Sequence, residues 1–278
     1  NWLLIYGHWG FPEMGITGAG ISTLVARVTM FVAIALCFAL SSRHRAERTA
    51  FRQSSVSRDG IRSLIVLGTP ISLQMGMESG AWSLCSIIVG WIGTNALAGH
   101  QIMLTISQLF YQFYYALASA VSIRVSHFHG QHDYMAIRRT AWAGCHLNFL
   151  IDILVSWTVI IFRGRMGFLF TGSPQVAAEV AGAIVPLIIY QFSDGLQCTF
   201  SNAMRGLAYV RPMMLVAFLS YFVVSLPLAY VFGITIDGGL VGVWFSFPFG
   251  LTIAGGLYYY FYHRRLLQLE KEELSAVL

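Results

Sequence analysis

Seven stretches of this chain are each long and apolar enough to cross a bilayer as a helix: residues 18–40, 63–92, 96–122, 136–162, 175–203, 213–233 and 239–262. About 20 apolar residues in a helix span the hydrocarbon core. Lipid offers no partners for a free backbone, so only helices and closed barrels are open to such a chain. The runs are continuously apolar and lack the roughly ten-residue alternating segments of outer-membrane strands. The fold class is therefore an all-α polytopic membrane protein with about seven transmembrane helices. Composition agrees, because 10% of the residues are charged, against about 25% in a soluble domain.

The few charges are placed unevenly. Arg43, Arg45, Arg48, Arg52, Arg58 and Arg62 lie in or beside the segment 41–62; Arg124, Arg138 and Arg139 flank 123–135; Arg205 and Arg211 flank the next turn on that side; Arg264, Arg265 and Lys271 are in the tail. These loops alternate along the chain, and Lys and Arg gather on the cytoplasmic side of a membrane. The pattern predicts a cytoplasmic C-terminus, with residues 1–17 outside. Arg163 and Arg165 hold the opposite side, and Arg27 lies inside a span. Topology thus accounts for the net charge of +5, and no nucleic-acid partner is called for. Cys37, Cys85, Cys145 and Cys198 fall one to a span, a spacing that suits neither a disulfide framework nor a zinc site.

Two carboxylates stand out. Glu78 and Asp194 fall near the middle of spans, about 16 residues in from Arg62 and about 11 in from Arg205, hence ~24 and ~17 Å deep. An acid at that depth costs about 2.5–3.5 kcal/mol on insertion scales, so it is usually kept for an ion, a proton or a partner. Gln74 and Glu78 share a helix face at i, i+4; Gln191, Asp194, Gln197 and Cys198 follow at i, i+3, i+6 and i+7. Such polar stripes predict a cavity, with Gln74, Gln191 and Gln197 as candidates for its lining, and the carboxylates of Glu78 and Asp194 suit either Na⁺ or a proton. Asp152 and Arg27 are further ionisable residues well inside spans; a hydrogen-bonded or paired structural role is favoured for Asp152, and for Arg27 a structural one, anchoring the lobes or pairing with an acid. Of the aromatic group Phe110, Tyr111, Phe113, Tyr114 and Tyr115, the pair Tyr111 and Tyr114 is singled out as a cation–π surface for an organic cation. Met75, Met77, Met103 and Met204 read as core filler. His127, His129 and His132 read as interfacial polar residues rather than metal ligands, and His100 as a helix-packing hydrogen-bonder. Pro70, Pro186, Pro227 and Pro248 fall inside spans, where they permit bends. No nucleophile with its base, metal box or phosphate loop is present, so neither an enzyme nor a cofactor is expected.

At an offset of 224 residues Leu4 aligns with Leu228, Tyr6 with Tyr230, Gly15 with Gly239, Gly18 with Gly242 and Ser22 with Ser246. Each place reads as a helix end, a glycine-bearing turn and a new helix. A duplicated transporter would show this: residues 1–40 would close one half, with its earlier helices upstream. Residues 41–60 would be a basic cytoplasmic linker, 61–265 the other half and 266–278 a cytoplasmic tail.

Gly68-Thr69-Pro70-Ile71 followed by Glu78, Ala98-Gly99-His100-Gln101-Ile102, Ile123-Arg124-Val125, Tyr190-Gln191-Phe192-Ser193-Asp194-Gly195-Leu196-Gln197, Met204-Arg205-Gly206 and Leu240-Val241-Gly242-Val243-Trp244 occur in that order. Together with Gly10-Phe11-Pro12 and Met14 through Gly20, they resemble the multidrug and toxic compound extrusion (MATE) family, NorM-like branch, over residues 1–265. The resemblance implies a twelve-helix, two-lobed antiporter, of which this chain holds the last helix of the N-terminal lobe and the complete six-helix C-terminal lobe. It also implies that Glu78 and Asp194 couple cation movement to secondary active efflux of cationic or amphipathic organic compounds, in exchange for Na⁺ or H⁺, in the bacterial inner membrane. The implied partners are small-molecule drugs, the lipid bilayer and the missing N-terminal lobe of the same polypeptide. Two positions depart from the pattern: Tyr114 stands where proline is common, which leaves the bend of that helix open, and Tyr209 replaces a common aspartate. A lipid-linked oligosaccharide flippase or other solute exporter of the same superfamily is the alternative, as is an inactive fragment. Buried acids suit a cationic cargo better than a pyrophosphate.

Overall fold

A computed structural model of the chain describes residues 2–7, 9, 10, 12–41, 45, 48–50 and 57–277. They form two compact units, residues 1–61 and 62–278. Asn1, Phe11 and most of the linker expected at 41–60, including Arg43 and Arg52, lie outside the described residues.

In the first unit, α1 (Trp2–Tyr6) turns through Gly7 into α2 (Gly15–Leu40). The Met14 N–H donates to the Leu4 carbonyl at 3.0 Å. A side chain at Gly18 would collide with that same carbonyl, so glycine lets α2 cross the end of α1 directly. The aligned junction in the second unit works the same way: Gly242 packs on the Phe232 carbonyl. Gly15 and Gly239, matched by the 224-residue offset, each open a helix at positive φ, 52° and 56°.

The second unit takes α3 (Arg58–Ile92) from its fifth residue onward, then α4 (Thr94–Gly130), α5 (Tyr134–Ile161), a short α6 (Arg163–Met166), α7 (Pro174–Gly206), α8 (Arg211–Thr235) and α9 (Gly239–Val277). Among the described residues, seven long helices therefore stand where seven spans were expected. Five of them, α2, α5, α7, α8 and α9, are long and apolar enough to cross a membrane by length and composition. α3 and α4 fall short because they carry Gln74, Glu78, His100, Gln101 and Gln108 in otherwise apolar runs. Exposed Leu150, Leu154, Trp157 and Ile161 form an apolar outer face on α5, the surface a helix turns to lipid rather than water.

Several helices overrun the expected spans. α4 continues to Gly130, which puts His127 and His129 on a helix end, and Asp133 caps α5 by accepting from Ala136 N at 2.9 Å. α9 runs on to Val277 instead of releasing a separate tail at 266. Its extension is held by buried Leu266 and Leu269 and by Arg138 Nη2 to Glu270 Oε1 at 3.1 Å. α8 is wound as a π-helix over Phe218–Ser225, immediately before Leu226-Pro227. Proline has no N–H for the Val223 carbonyl and its ring crowds that group, so a widened turn is the local accommodation.

α7 is the centre of the bundle and packs against α4, α5 and α9. Two apolar clusters divide the interior. One gathers Trp244, Phe247, Met103 and Leu187; the other gathers Phe200, Tyr258, Tyr262 and Met204. Gln74 on α3, Ser107 on α4 and Gln191, Ser193, Asp194 and Gln197 on α7 are among the buried polar side chains of the interior.

Candidate functional site

A cavity of about 340 Å³ opens between α3, α4 and α7. Glu78, Trp82, Ser107, Gln108, Tyr111 and Tyr190 supply its chemistry, with Met75 at its edge. Glu78 is half-buried and meets the cavity. The Tyr221 hydroxyl of α8 faces it without closing a hydrogen bond, and the Arg205 guanidinium lies within electrostatic reach. One helical turn beyond Tyr190, Asp194 is 2% exposed, and the Tyr190 hydroxyl approaches its Oδ2 at 3.5 Å. Asp194 feels the charges of both Glu78 and Asp152. Three carboxylates from α3, α7 and α5 therefore lead inward from the cavity wall.

The wall beside Glu78 is aromatic. Trp82 stacks on Phe247 at 4.1 Å between centroids and meets the Tyr190 ring edge-on at 5.6 Å. Tyr111 stacks on Tyr115 at 5.6 Å. A carboxylate flanked by Trp and Tyr rings offers a flat organic cation both a counter-charge and π-faces.

The structure separates residues that the helical stripes grouped together. Tyr111 lines the cavity; Tyr114 is 1% exposed, and its hydroxyl points toward Asp152. Gln74 does not line the cavity, but is buried and accepts from Arg205 Nη2 at 3.0 Å. Gln191 and Gln197 are likewise buried away from it, because α7 packs against α4, α5 and α9 and a polar stripe on such a helix faces neighbours as readily as space. Asp152 is fully buried, with the Tyr114 hydroxyl of α4 facing it. Arg27 is exposed on α2 in the first unit, beside a groove of about 400 Å³ with Ser22, Thr23 and Met30. Met103 and Met204 are core residues, whereas Met75 reaches the cavity.

Trp82, Tyr190 and Tyr221 were missed from sequence. The first two carried a usable signal, since Trp82 follows Glu78 by four residues and Tyr190 precedes Asp194 by four. Tyr221 approaches Glu78 only through the packing of α8 and had none. His100 does hold helices together: it accepts from Trp244 Nε1 at its Nδ1, at 3.2 Å, and its Nε2 lies 3.2 Å from Ser86 Oγ. Among the described residues no group of three His, Cys, Asp or Glu could hold a metal ion.

Buried carboxylates beside a cavity, within a bundle of bilayer-length helices, define a polytopic integral membrane protein with an intramembrane polar site. The chain belongs to the MatE family, whose model matches residues 70–231. A probable multidrug resistance protein NorM of Xylella fastidiosa (strain 9a5c) is 31% identical over 258 residues, which cover 92% of this chain and 55% of that protein. The multidrug resistance protein NorM of Aliivibrio fischeri is 28% identical over 261 residues, 92% of this chain and 57% of that one. The chain thus spans about half the length of the curated relatives it matches. A multidrug resistance MATE family transporter in an outward-facing conformation superposes with a TM-score of 0.84 at 20% identity, over 97% of this chain and 59% of the other. A eukaryotic MATE transporter gives 0.83 at 18%, over 98% and 61%. The family resemblance read from the sequence motifs is borne out, and the solved structures show the same fold.

Proposed function

We propose that this chain is the cation-coupling half of a secondary active exporter that expels cationic or amphipathic organic compounds in exchange for Na⁺ or H⁺. The observation that carries this reading is Glu78 at the mouth of an aromatic cavity with Asp194 buried directly behind Tyr190. An ionised acid in a cavity that must close away from water is costly, by about 2.5–3.5 kcal/mol on insertion scales. A bound Na⁺ or proton removes that charge and lets the cavity close. A cationic drug held by the same carboxylates and by the faces of Trp82 and Tyr111 competes with the ion, so occupancy by one drives off the other. A second lobe would complete the cleft for alternating access, and the Arg distribution supports a cytoplasmic C-terminus. Nothing in this scheme requires catalysis or a cofactor.

The test is ethidium efflux from a bacterium stripped of its own pumps, expressing the gene that encodes this chain under imposed Na⁺ or H⁺ gradients. Efflux driven by one gradient and lost in Asp194→Asn and Glu78→Gln is the expected result. Efflux that survives both substitutions would refute the assignment of the coupling acids. No efflux with either gradient would move the weight to a different solute.

A further inference from the structure

Asp152 sits in mid-α5, one turn after Asn148 and one turn before Ser156, and all three are buried. Both carboxylate oxygens of Asp152 lack a hydrogen-bond partner. So do Asn148 Oδ1, Ser156 Oγ and the Tyr114 hydroxyl, which faces Asp152 from α4. The amide nitrogen of Asn148 is already engaged: Nδ2 donates to Thr199 Oγ1 at 2.7 Å and approaches the Gly195 carbonyl at 3.4 Å. Its Oδ1 is therefore left as a free acceptor. Opposite them α7 presents Gly195, where an added Cβ would lie 2.9 Å from Asp152 Oδ2. The missing side chain makes room for the carboxylate.

This nest gathers oxygens without a positive charge: its donors are the hydroxyls of Tyr114 and Ser156, and the Asn148 amide nitrogen is engaged elsewhere. Among the described residues no Lys, Arg or His forms an ion pair with Asp152. The titratable groups that face it are Tyr114 from α4, Asp194 from α7 and Cys145 on its own helix, none of which brings a positive charge. A buried, unpartnered carboxylate is among the least tolerable groups in a protein interior. Oxygen ligands with no cationic side chain beside them are an environment that a proton or a small hard cation satisfies. Asp194 links this nest electrostatically to the cavity, since it feels the charges of both Asp152 and Glu78.

We propose that Asp152, with Asn148 Oδ1 and the Tyr114 hydroxyl oxygen, is an inner monovalent-cation station that exchanges Na⁺ or H⁺ with Asp194. This rests on the reading of Glu78 and Asp194 as coupling acids. The ion enters from the cavity, meets Glu78 and Asp194, and passes to Asp152 between α4, α5 and α7. For a proton, the O–H bond on Asp194 breaks as one forms on Asp152 and Asp194 is left ionised; for Na⁺, the ion moves between two sets of oxygens with no covalent change.

Infrared difference spectra of the purified chain test this through the carbonyl stretch of protonated carboxyl groups and the carboxylate bands. One arm adds Na⁺ at fixed pH; the other steps the pH without Na⁺. Wild type should show ion-linked carboxyl bands, and Asp152→Asn should lose one of them, with a roughly tenfold loss of apparent ion affinity. The arm in which that band responds names the ion. Asp152→Glu, which keeps the charge, should retain the band at a shifted frequency and serves if the asparagine variant does not fold. A spectrum in which neither Asp152→Asn nor Asp152→Glu changes any ion-linked band overturns the inner station. If those bands disappear in Asp194→Asn, the outer pair stands and only the station falls. A wild type without ion-linked carboxyl bands overturns the coupling reading itself, and the station with it.

Discussion

Gly195→Ala places a methyl group where α7 faces Asp152 of α5. The new Cβ would lie 2.9 Å from Asp152 Oδ2, 3.6 Å from Asn148 Cβ and 3.7 Å from Asp152 Cγ. The last two are ordinary contacts, while the first needs the carboxylate or its helix to retreat by about half an ångström, a shift that a well-packed interior resists. Overpacking of this kind costs about 1–3 kcal/mol, so the folded-to-unfolded ratio should fall by about 5- to 150-fold. The same movement would disturb the Asn148–Thr199 hydrogen bond at 2.7 Å. Equilibrium unfolding in mixed micelles, followed by tryptophan fluorescence, measures the change. Because the strain is assigned to one carboxylate, it should largely vanish in an Asp152→Ala background, where Gly195→Ala should cost less than about 0.5 kcal/mol. Contacting residues are expected to be non-additive in this way. Equal costs in both backgrounds, or no cost in either, would refute the claim that Gly195 exists to seat Asp152.

Trp244→Phe removes the donor to His100 Nδ1 and leaves that buried nitrogen unsatisfied; stability should drop by about 1–3 kcal/mol, and a drop under about 0.5 kcal/mol would show that the bond is inconsequential. Trp82→Ala deletes a ring at the cavity wall next to Glu78. Loss of a cation–π contact of about 0.5–2 kcal/mol should weaken binding of a flat cationic dye by about 2- to 30-fold in a fluorescence titration, and unchanged affinity would remove Trp82 from the site. At the α4 end, burial, the nearby His132 and Arg265 hold His129 below the usual histidine value of 6.5. As pH falls through about 6.5 the unfolded chain takes a proton that the folded one resists, so stability should decline with falling pH. His129→Gln should flatten that decline between about pH 7 and 5 in urea titrations, and an unaltered slope would place its cause elsewhere.

The long helices were legible because lipid imposes one rule on every span, and α7, α8 and α9 begin within a few residues of where their apolar runs do. The turn at Gly239 was legible too, since its likeness to Gly15 is written in glycines that both adopt positive φ. Glu78 and Asp194 stood out for a related reason: few sequences bury acids so deep in apolar runs. What helical spacing could not show was which side of a buried helix meets a cavity. Gln74 shares a face with Glu78, yet one meets Arg205 and the other the cavity, because α3 has different neighbours at the two levels. Tyr114 and Asp152, from α4 and α5, come together only through tertiary packing. The π-helical winding ahead of Pro227 was half legible: proline announces a disturbance without saying whether it becomes a kink or a widened turn.

If drug and coupling ion share Glu78 and Asp194, equilibrium binding of tetraphenylphosphonium to the purified protein, titrated with Na⁺ at fixed pH and with H⁺ in its absence, should show them competing. One of the two ions should raise the apparent Kd in proportion to its concentration, and Asp194→Asn or Glu78→Gln should weaken binding and abolish the competition. Binding that ignores both ions and both substitutions would contradict shared use of the two acids.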